Sequence, residues 1–447
     1  MARDFRQAAD AVAAQIAAGR LRPGDRLPTQ RAFARRYGVA ESTASRVYAE
    51  LTRRGLVVGE VGRGTFVRAA APAADPALAE PGTARVDLEL NYPVTPGQPE
   101  ALAAGLARLA RPDVLGAALG PSGAGGTAAA RAAAAELLAR PGWAPDPAGV
   151  LFAGNGRQAV AACVAALVRP GGRLGVEALT YPVVKAIAAR LGVTLVPLEC
   201  DAEGLLPGAL LAAHRAAPLG GLYVQPTLHN PLGTTMGPGR RAELAAALRE
   251  SGLPAVEDAI WAFLRADAPP PLAAYAPERV VLVDSLSKRL APGLTAGFAA
   301  TPAALTARVS AALRSGGWTS AGYALAAATG WIGDGTAAAL SAAKREDARL
   351  RAELAAEALA GLAVRSGPCS YFCWLELPPP WRADTYVAAA ARRGIAVTPA
   401  ASFVVGSHST PAAVRIGLAS PPPPVLRRAL DTLAELVRTG PDDLGPE

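Results

Sequence analysis

The sequence predicts a large α/β domain preceded by a small helical domain that closes with a β-hairpin, and three observations carry that prediction. From about Asp87 onward, short apolar runs alternate with Ala- and Leu-rich helical stretches, the pattern of an α/β sheet. Before that point, three segments with helical spacing precede two short β-branched runs. Between the two parts, residues 69–84 hold eight Ala, three Pro and no aromatic residue, a composition that cannot form a core.

A chain of 447 residues exceeds one ordinary core, so more than one domain is expected. The boundaries fall at 1–68 for the small domain, 69–84 for a semi-rigid tether and 85–440 for the large domain. Extended at ~3.1 Å per residue, the tether would reach ~50 Å.

The small domain reads element by element. Phe5, Ala9, Val12 and Ile16 repeat at helical spacing, with Gly19 as the stop. The turn at 21–28 leads to a second helix with Thr29 as N-cap and Ala32, Phe33 and Tyr37 on the buried stripe. Gly38-Val39 makes a sharp turn into a third helix over 41–54, with Val47 and Leu51 inward and Gly55 at its end. Two β-branched runs flanking Gly62-Arg63-Gly64 form the hairpin. Residues 1–68 carry thirteen Arg against six acids, a net +7 of the chain's +8. A strongly basic small domain beside a near-neutral large one points to a polyanion partner or to a solvated basic face.

Composition excludes several classes. Arg3, Asp4, Arg6 and Asp10 interrupt any signal-peptide pattern. The uncharged run in 315–333 is rich in Gly, Ser, Thr and Ala, which predicts a packed helix and loop rather than a membrane span. Four cysteines in this length make no disulfide framework and fit a reducing, cytoplasmic setting. Cys369 and Cys373, beside a strand-like run and without a nearby His, read as buried thiols, and no metal site is expected.

Three helices and a hairpin describe a winged helix-turn-helix, and here the residues resemble the GntR family of regulators. The resemblance rests on PGDRLPTQRAFARRYGV, STASRVYAEL, GLV and GRGTFV, and covers residues 4–68. It implies double-stranded promoter or operator DNA as partner, with the third helix in the major groove. Arg31, Ser42, Thr43 and Arg46 would then face DNA, with Gly62, Arg63, Gly64 and Thr65 in the wing. Glu41 stands where many members are basic; an acid there would disfavour a phosphate contact and could accept from cytosine, which leaves base preference open.

In the large domain, three polar residues fall at or just beyond the ends of successive strands. Gly221-Leu-Tyr-Val-Gln leads into a loop containing Asn230, Pro254-Ala-Val-Glu leads into Asp258, and the apolar run 280–283 leads into Asp284-Ser285-Leu286-Ser287-Lys288. Asn230, Asp258 and Lys288 lie 28 and 30 residues apart, about one strand–helix–strand unit each. Ligands bind at that edge of an open α/β sheet. Lys288 is one of three lysines among 45 basic residues, and a primary amine forms an imine with an aldehyde where a guanidinium does not. Taken singly, Asp258 reads equally as a helix N-cap and Asn230 as a turn residue.

Together these residues resemble fold-type I pyridoxal-phosphate-dependent transferases, on the Asn-Pro-x-Gly loop, the post-strand Asp and the Ser-x-Ser-Lys run followed by Ala-Pro-Gly-Leu. With a GntR head, the whole chain resembles the MocR-type regulators. The resemblance implies pyridoxal 5'-phosphate as cofactor, with Lys288 as catalytic residue forming the internal aldimine and Asp258 pairing the pyridine nitrogen. It further implies that Asn230 bonds the ring hydroxyl and Tyr181 stacks on the ring. Gly154, Asn155, Gly156 and Arg157 would cradle the phosphate at a helix start, helped by Ser285 and Ser287. Arg415, in Val-Arg-Ile-Gly-Leu-Ala, would grip an α-carboxylate. A homodimer and a small amine or amino-acid effector are also implied.

The chain departs from that pattern at three places. Thr295 replaces an Arg that usually meets the phosphate, leaving Arg157 or Arg289 to compensate; Trp261 replaces a Tyr; and 115–140 contains no Tyr. Three readings follow. The large domain senses an amine, an amino acid or the cofactor for a transcription regulator; or it is an active class I/II aminotransferase carrying a DNA-binding head; or it is a module that serves dimerisation alone. The first is preferred, with residual transaminase activity left open.

Overall fold

The computed structural model describes residues 5–17, 20–21, 24–53, 56–60, 64–67, 84–406 and 410–440. The expected helix stops at Gly19 and Gly55, the wing residues Gly62 and Arg63, and all of the 69–84 tether but Ala84 lie outside the described residues.

The head contains α1 (Phe5–Ala17), α2 (Gln30–Tyr37) and α3 (Glu41–Arg53), followed by β1 (Val57–Glu60) and β2 (Gly64–Val67). Thr29 caps α2 by accepting from the Ala32 amide at 3.2 Å. Gly38 ends it in the left-handed region at φ 62°, where a side chain would be strained. The buried stripe of α2 is Phe33 and Ala34, with Ala32 and Tyr37 only half-buried. Val12, Phe33, Val47, Leu51, Val57 and Val67 form one small core, and β1 pairs with β2 antiparallel as the expected hairpin.

The large region is built on a seven-stranded sheet of β3 (Val150–Ala153), β4 (Arg173–Glu177), β5 (Thr194–Leu198), β6 (Gly221–Val224), β7 (Ala255–Asp258), β8 (Val280–Ser285) and β9 (Gly297–Ala300). Its order is β3-β9-β8-β7-β6-β4-β5. All neighbours are parallel except the two pairings of β9. Strand residues alternate between two cores: Leu222, Val224, Ala255, Val280 and Leu282 face one, while Tyr223, Val256, Val281 and Val283 face the other. Burial on both faces is why these strands read as continuous apolar runs in the sequence.

A second, antiparallel sheet lies in the C-terminal part: β10 (Val364–Ser366), β11 (Phe372–Glu376), β12 (Thr398–Pro399) and β13 (Ala413–Gly417), ordered β10-β11-β13-β12. Its helices Ala383–Arg392 and Pro423–Thr439 pack a core of its own around Leu375, Tyr386, Val414, Leu430 and Leu433. Within 315–333 the observed helix is Gly322–Gly333, and no helix among the described residues is long and apolar enough to cross a membrane. Cys373 is buried as expected, but Cys369, placed ahead of β11, is only half-buried.

Candidate functional site

Asn230, Asp258 and Lys288 do converge, because β6, β7 and β8 are adjacent and parallel and all three loops leave the same edge. They line a cavity of about 270 Å³ together with Asn155, Gly156, Arg157, Tyr181, Ser285, Ser287 and Arg415.

Asp258 sits at the bottom, buried at the end of β7. Its Oδ2 accepts from the Tyr223 hydroxyl at 2.6 Å and from Gln225 Nε2 at 2.9 Å, and its Oδ1 from the Ile260 amide at 3.1 Å. Burial raises its pKa against these donors. A carboxylate offers about four acceptor positions, so one remains for a donor inside the cavity. Gln225 also accepts from the Asn230 amide at 3.2 Å, which ties the two cavity residues together. The Asn230 side-chain oxygen is buried without a partner, a state that costs free energy until a ligand meets it.

Lys288 follows β8 on the single-turn helix α5 (Leu286–Arg289), after α4 (Gly156–Leu167) in chain order. Its amine donates to the Asn91 carbonyl and lies 4.5 Å from the Tyr92 ring centre and 5.1 Å from that of Trp261. Burial, then the Arg157, Arg415 and Lys344 charges, push it down to about 7. A neutral, nucleophilic amine is therefore abundant near neutral pH.

Opposite Lys288, α4 opens with Asn155 as N-cap, whose Oδ1 accepts from the Gln158 amide at 3.0 Å. A Cβ on Gly156 would come within 3.1 Å of Ser285 Oγ, so a side chain there would crowd the helix start that glycine leaves open to that hydroxyl. Ser285, Ser287 and Thr295 then form a hydroxyl chain with 3.0 Å spacings. Free helix N–H groups beside hydroxyls suit an anion. Arg157 stands exposed at the rim, where the neighbouring Tyr181 and Tyr92 hydroxyls raise its pKa. Arg289 does not reach the cavity: it is buried against Asp284 at 2.6 Å and over the Phe263 ring. That removes it as a substitute for the cation missing at Thr295.

Arg415 comes from β13 in the second sheet. Its guanidinium donates to the Glu89 carbonyl and, at 3.0 Å, to Thr398 Oγ1, while its Nε is buried without a partner. Burial lowers it to about 10, still cationic at neutral pH.

The sequence reading missed Glu89, Asn91, Tyr92 and Gln225, all of which line the cavity. Gln225 carried a signal, a polar residue closing an apolar strand. The Glu89–Tyr92 wall carried none, since it enters the site through long-range pairing: Val86–Asp87 runs parallel with Ile395–Ala396.

The cavity fits pyridoxal phosphate. It offers an amine, a buried carboxylate with one open acceptor position, an unsatisfied amide, and a hydroxyl-lined helix start that a Cβ would fill. In the head, Arg31, Ser42 and Arg46 are exposed and Thr43 half-buried along α2 and α3. Arg46 additionally lies over the Phe5 ring at 4.1 Å. Gly64, at φ 121°, and Thr65 begin β2.

Comparison with known proteins agrees with both parts. Residues 119–433 match the family described as aminotransferase class I and II, and residues 5–67 match bacterial regulatory proteins of the gntR family. The chain is 31% identical over 271 residues to the HTH-type transcriptional regulator YdeF of Bacillus subtilis, covering 59% of each chain. It is 27% identical over 329 residues to the HTH-type transcriptional regulator TauR of Rhodobacter capsulatus, covering 66% of this chain and 67% of that one. The match thus spans about three fifths of YdeF's length. The multiple substrate aminotransferase of Thermococcus profundus shares the fold at TM-score 0.72 and 21% identity, over 80% of this chain and 92% of its own. The chain belongs to the class I and II aminotransferase family and carries a gntR-family DNA-binding head at its N-terminal end.

Proposed function

We propose that this chain is a MocR-type transcription regulator whose aminotransferase-like part holds pyridoxal 5'-phosphate on Lys288 and reads a small amine or amino acid there. The observation that carries this reading is the convergence of Lys288, Asp258, Asn230 and Arg415 on one cavity in a chain headed by a basic helix-turn-helix. When bound, the cofactor would supply an aldehyde group with which the Lys288 amine can react.

Each residue has a distinct task. Asp258 would pair with the cofactor's pyridine nitrogen, and Asn230 would bond its ring hydroxyl. Tyr181, on the cavity wall, would stack on the ring. Gly154, Asn155, Gly156, Ser285 and Ser287 would receive the phosphate, with Arg157 as a cation on the cavity rim. Arg415 binds an effector's carboxylate. In the head, Arg31, Ser42, Thr43 and Arg46 meet DNA, with Gly62, Arg63, Gly64 and Thr65 in the wing. The domains divide at 1–68, 69–84 and 85–440.

Exposed Val94, Leu115, Leu119 and Tyr323 support pairing of two copies, which a repeated half-site would match. We place the protein in the cytoplasm. An effector alters DNA binding to the extent that it binds two states of the protein unequally.

The experiment is a titration of the full-length protein with pyridoxal 5'-phosphate, followed by visible absorbance and by retention of genomic promoter fragments. Wild type is expected to turn yellow and Lys288→Ala to stay colourless, with fragment affinity changing about 5- to 150-fold on adding cofactor and amine. Colourless wild type, or an unaltered band in Lys288→Ala, overturns the cofactor assignment. Fragment affinity indifferent to every amine and to the cofactor overturns the sensor role.

A further inference from the structure

We propose that Lys344 is a positioning residue for Lys288: its buried amine clamps the carbonyls that end α5, the single turn that aims Lys288 into the cavity. The proposal rests on Lys288 as the cofactor's carrier and reaches one layer deeper into the fold.

Lys344 lies on α6 (Thr336–Ala358), a 23-residue helix, at 0% exposure. Its Nζ donates to the Lys288 carbonyl at 3.1 Å and to the Leu290 carbonyl. Gln98 Nε2 donates to the same Leu290 carbonyl at 3.1 Å. A turn of four residues satisfies few of its own carbonyls, because the last four acceptors of any helix have no partner within it. Within the turn the Leu290 amide donates to the Leu286 carbonyl at 2.7 Å, so the Lys288 and Leu290 carbonyls depend on outside donors, and Lys288 is the third residue of α5.

The chemistry selects lysine. This chain uses Arg for 42 of its 45 basic residues, yet here it keeps a compact ammonium with three donors in place of a planar fork. Burying an amine whose acceptors are neutral carbonyls is costly, and burial pushes Lys344 down to about 7.

The charged groups around it are few. Lys288 is on α5 itself, and its own carbonyl accepts from Lys344. Asp347, one turn along α6, is engaged by Arg351 at 2.8 Å and by the Tyr371 hydroxyl at 2.9 Å. Arg345 turns to the Phe263 carbonyl at 3.2 Å. When protonated, Lys344 therefore acts on Lys288 as a neighbouring cation and favours its neutral form.

The test uses the full-length chain and has two arms. In the first, the cofactor-free protein is acetylated briefly with acetic anhydride and its three lysines are followed by mass spectrometry. Lys344 is expected to react about tenfold or more slowly than Lys288, as a group opened only by local unfolding. Equal rates overturn the clamp.

In the second arm, pyridoxal 5'-phosphate is titrated into wild type, Lys344→Met and Lys344→Gln. The Met variant is expected to lose about tenfold in cofactor affinity and to shift the pH midpoint of the visible band upward. The Gln variant, which keeps a donor without charge, should regain affinity but retain the pH shift. A folded Met variant with unchanged affinity and midpoint overturns the proposal. If the Met variant lacks a cooperative unfolding transition, Gln decides by the same pH shift, and if that too fails to fold, the acetylation arm decides. A wild type that never develops a visible band refutes the cofactor reading instead, and acetylation still decides the clamp.

Discussion

At the scale of single residues, the site is governed by how burial treats each charge. Asp258 and Lys288 are both desolvated, yet with opposite consequences. The carboxylate is raised in pKa and kept usable by three donors, whereas the amine is lowered to about 7 and freed for bond formation. Asp258→Asn keeps shape and loses charge. A hydrogen bond to a charged group is worth about 1.5–3 kcal/mol, so cofactor affinity should fall about tenfold to a hundredfold in an absorbance titration. An affinity within twofold of wild type would show that no cation sits above this carboxylate.

At the scale of elements, the site depends on close approach between β9 and the start of α4. A Cβ on Gly297 would fall 2.3 Å from the Asn155 carbonyl oxygen, a backbone atom that cannot swing aside. Gly297→Ala should therefore cost about 1–3 kcal/mol, the usual range for overpacking, read as a lowered thermal midpoint. It should weaken phosphate binding as well, since Asn155 caps the helix that receives it. An unchanged midpoint would mean that the two elements separate freely. The helices and strands here were legible from periodicity and from the residues at their ends, as with Thr29 and the left-handed Gly38 that bound Gln30–Tyr37. The single turn α5 was not, because four residues hold too little pattern to register.

For the whole molecule, the buried amines and thiols set opposing pH trends. Lys288 and Lys344 are held near 7 against an ordinary 10.5, so unfolding above pH 7 takes up protons and stability rises with pH. Buried Cys163 and Cys373 are pushed up to about 12 from 9.0. Above pH 9 unfolding releases their protons, which opposes that rise. The unfolding midpoint of cofactor-free protein should climb from pH 7 to a maximum between the ordinary thiol and amine values, at about pH 9.5, and decline beyond. A midpoint that falls steadily from pH 7 upward would refute the burial of both lysines.

The linear chain by itself determined the basic three-helix head with its hairpin, the alternation that builds the sheet, and the strand-end positions of Asn230, Asp258 and Lys288. These are local signals, written in spacing, capping residues and runs of apolar side chains. Tertiary structure alone decided which cations face the cavity. It buried Arg289 against Asp284, left Arg157 at the rim, and carried Arg415 and the Glu89–Tyr92 wall in from distant parts of the chain. The reason is physical: where a charge points depends on which partner reaches it first in three dimensions, and no periodicity along the chain encodes that distance.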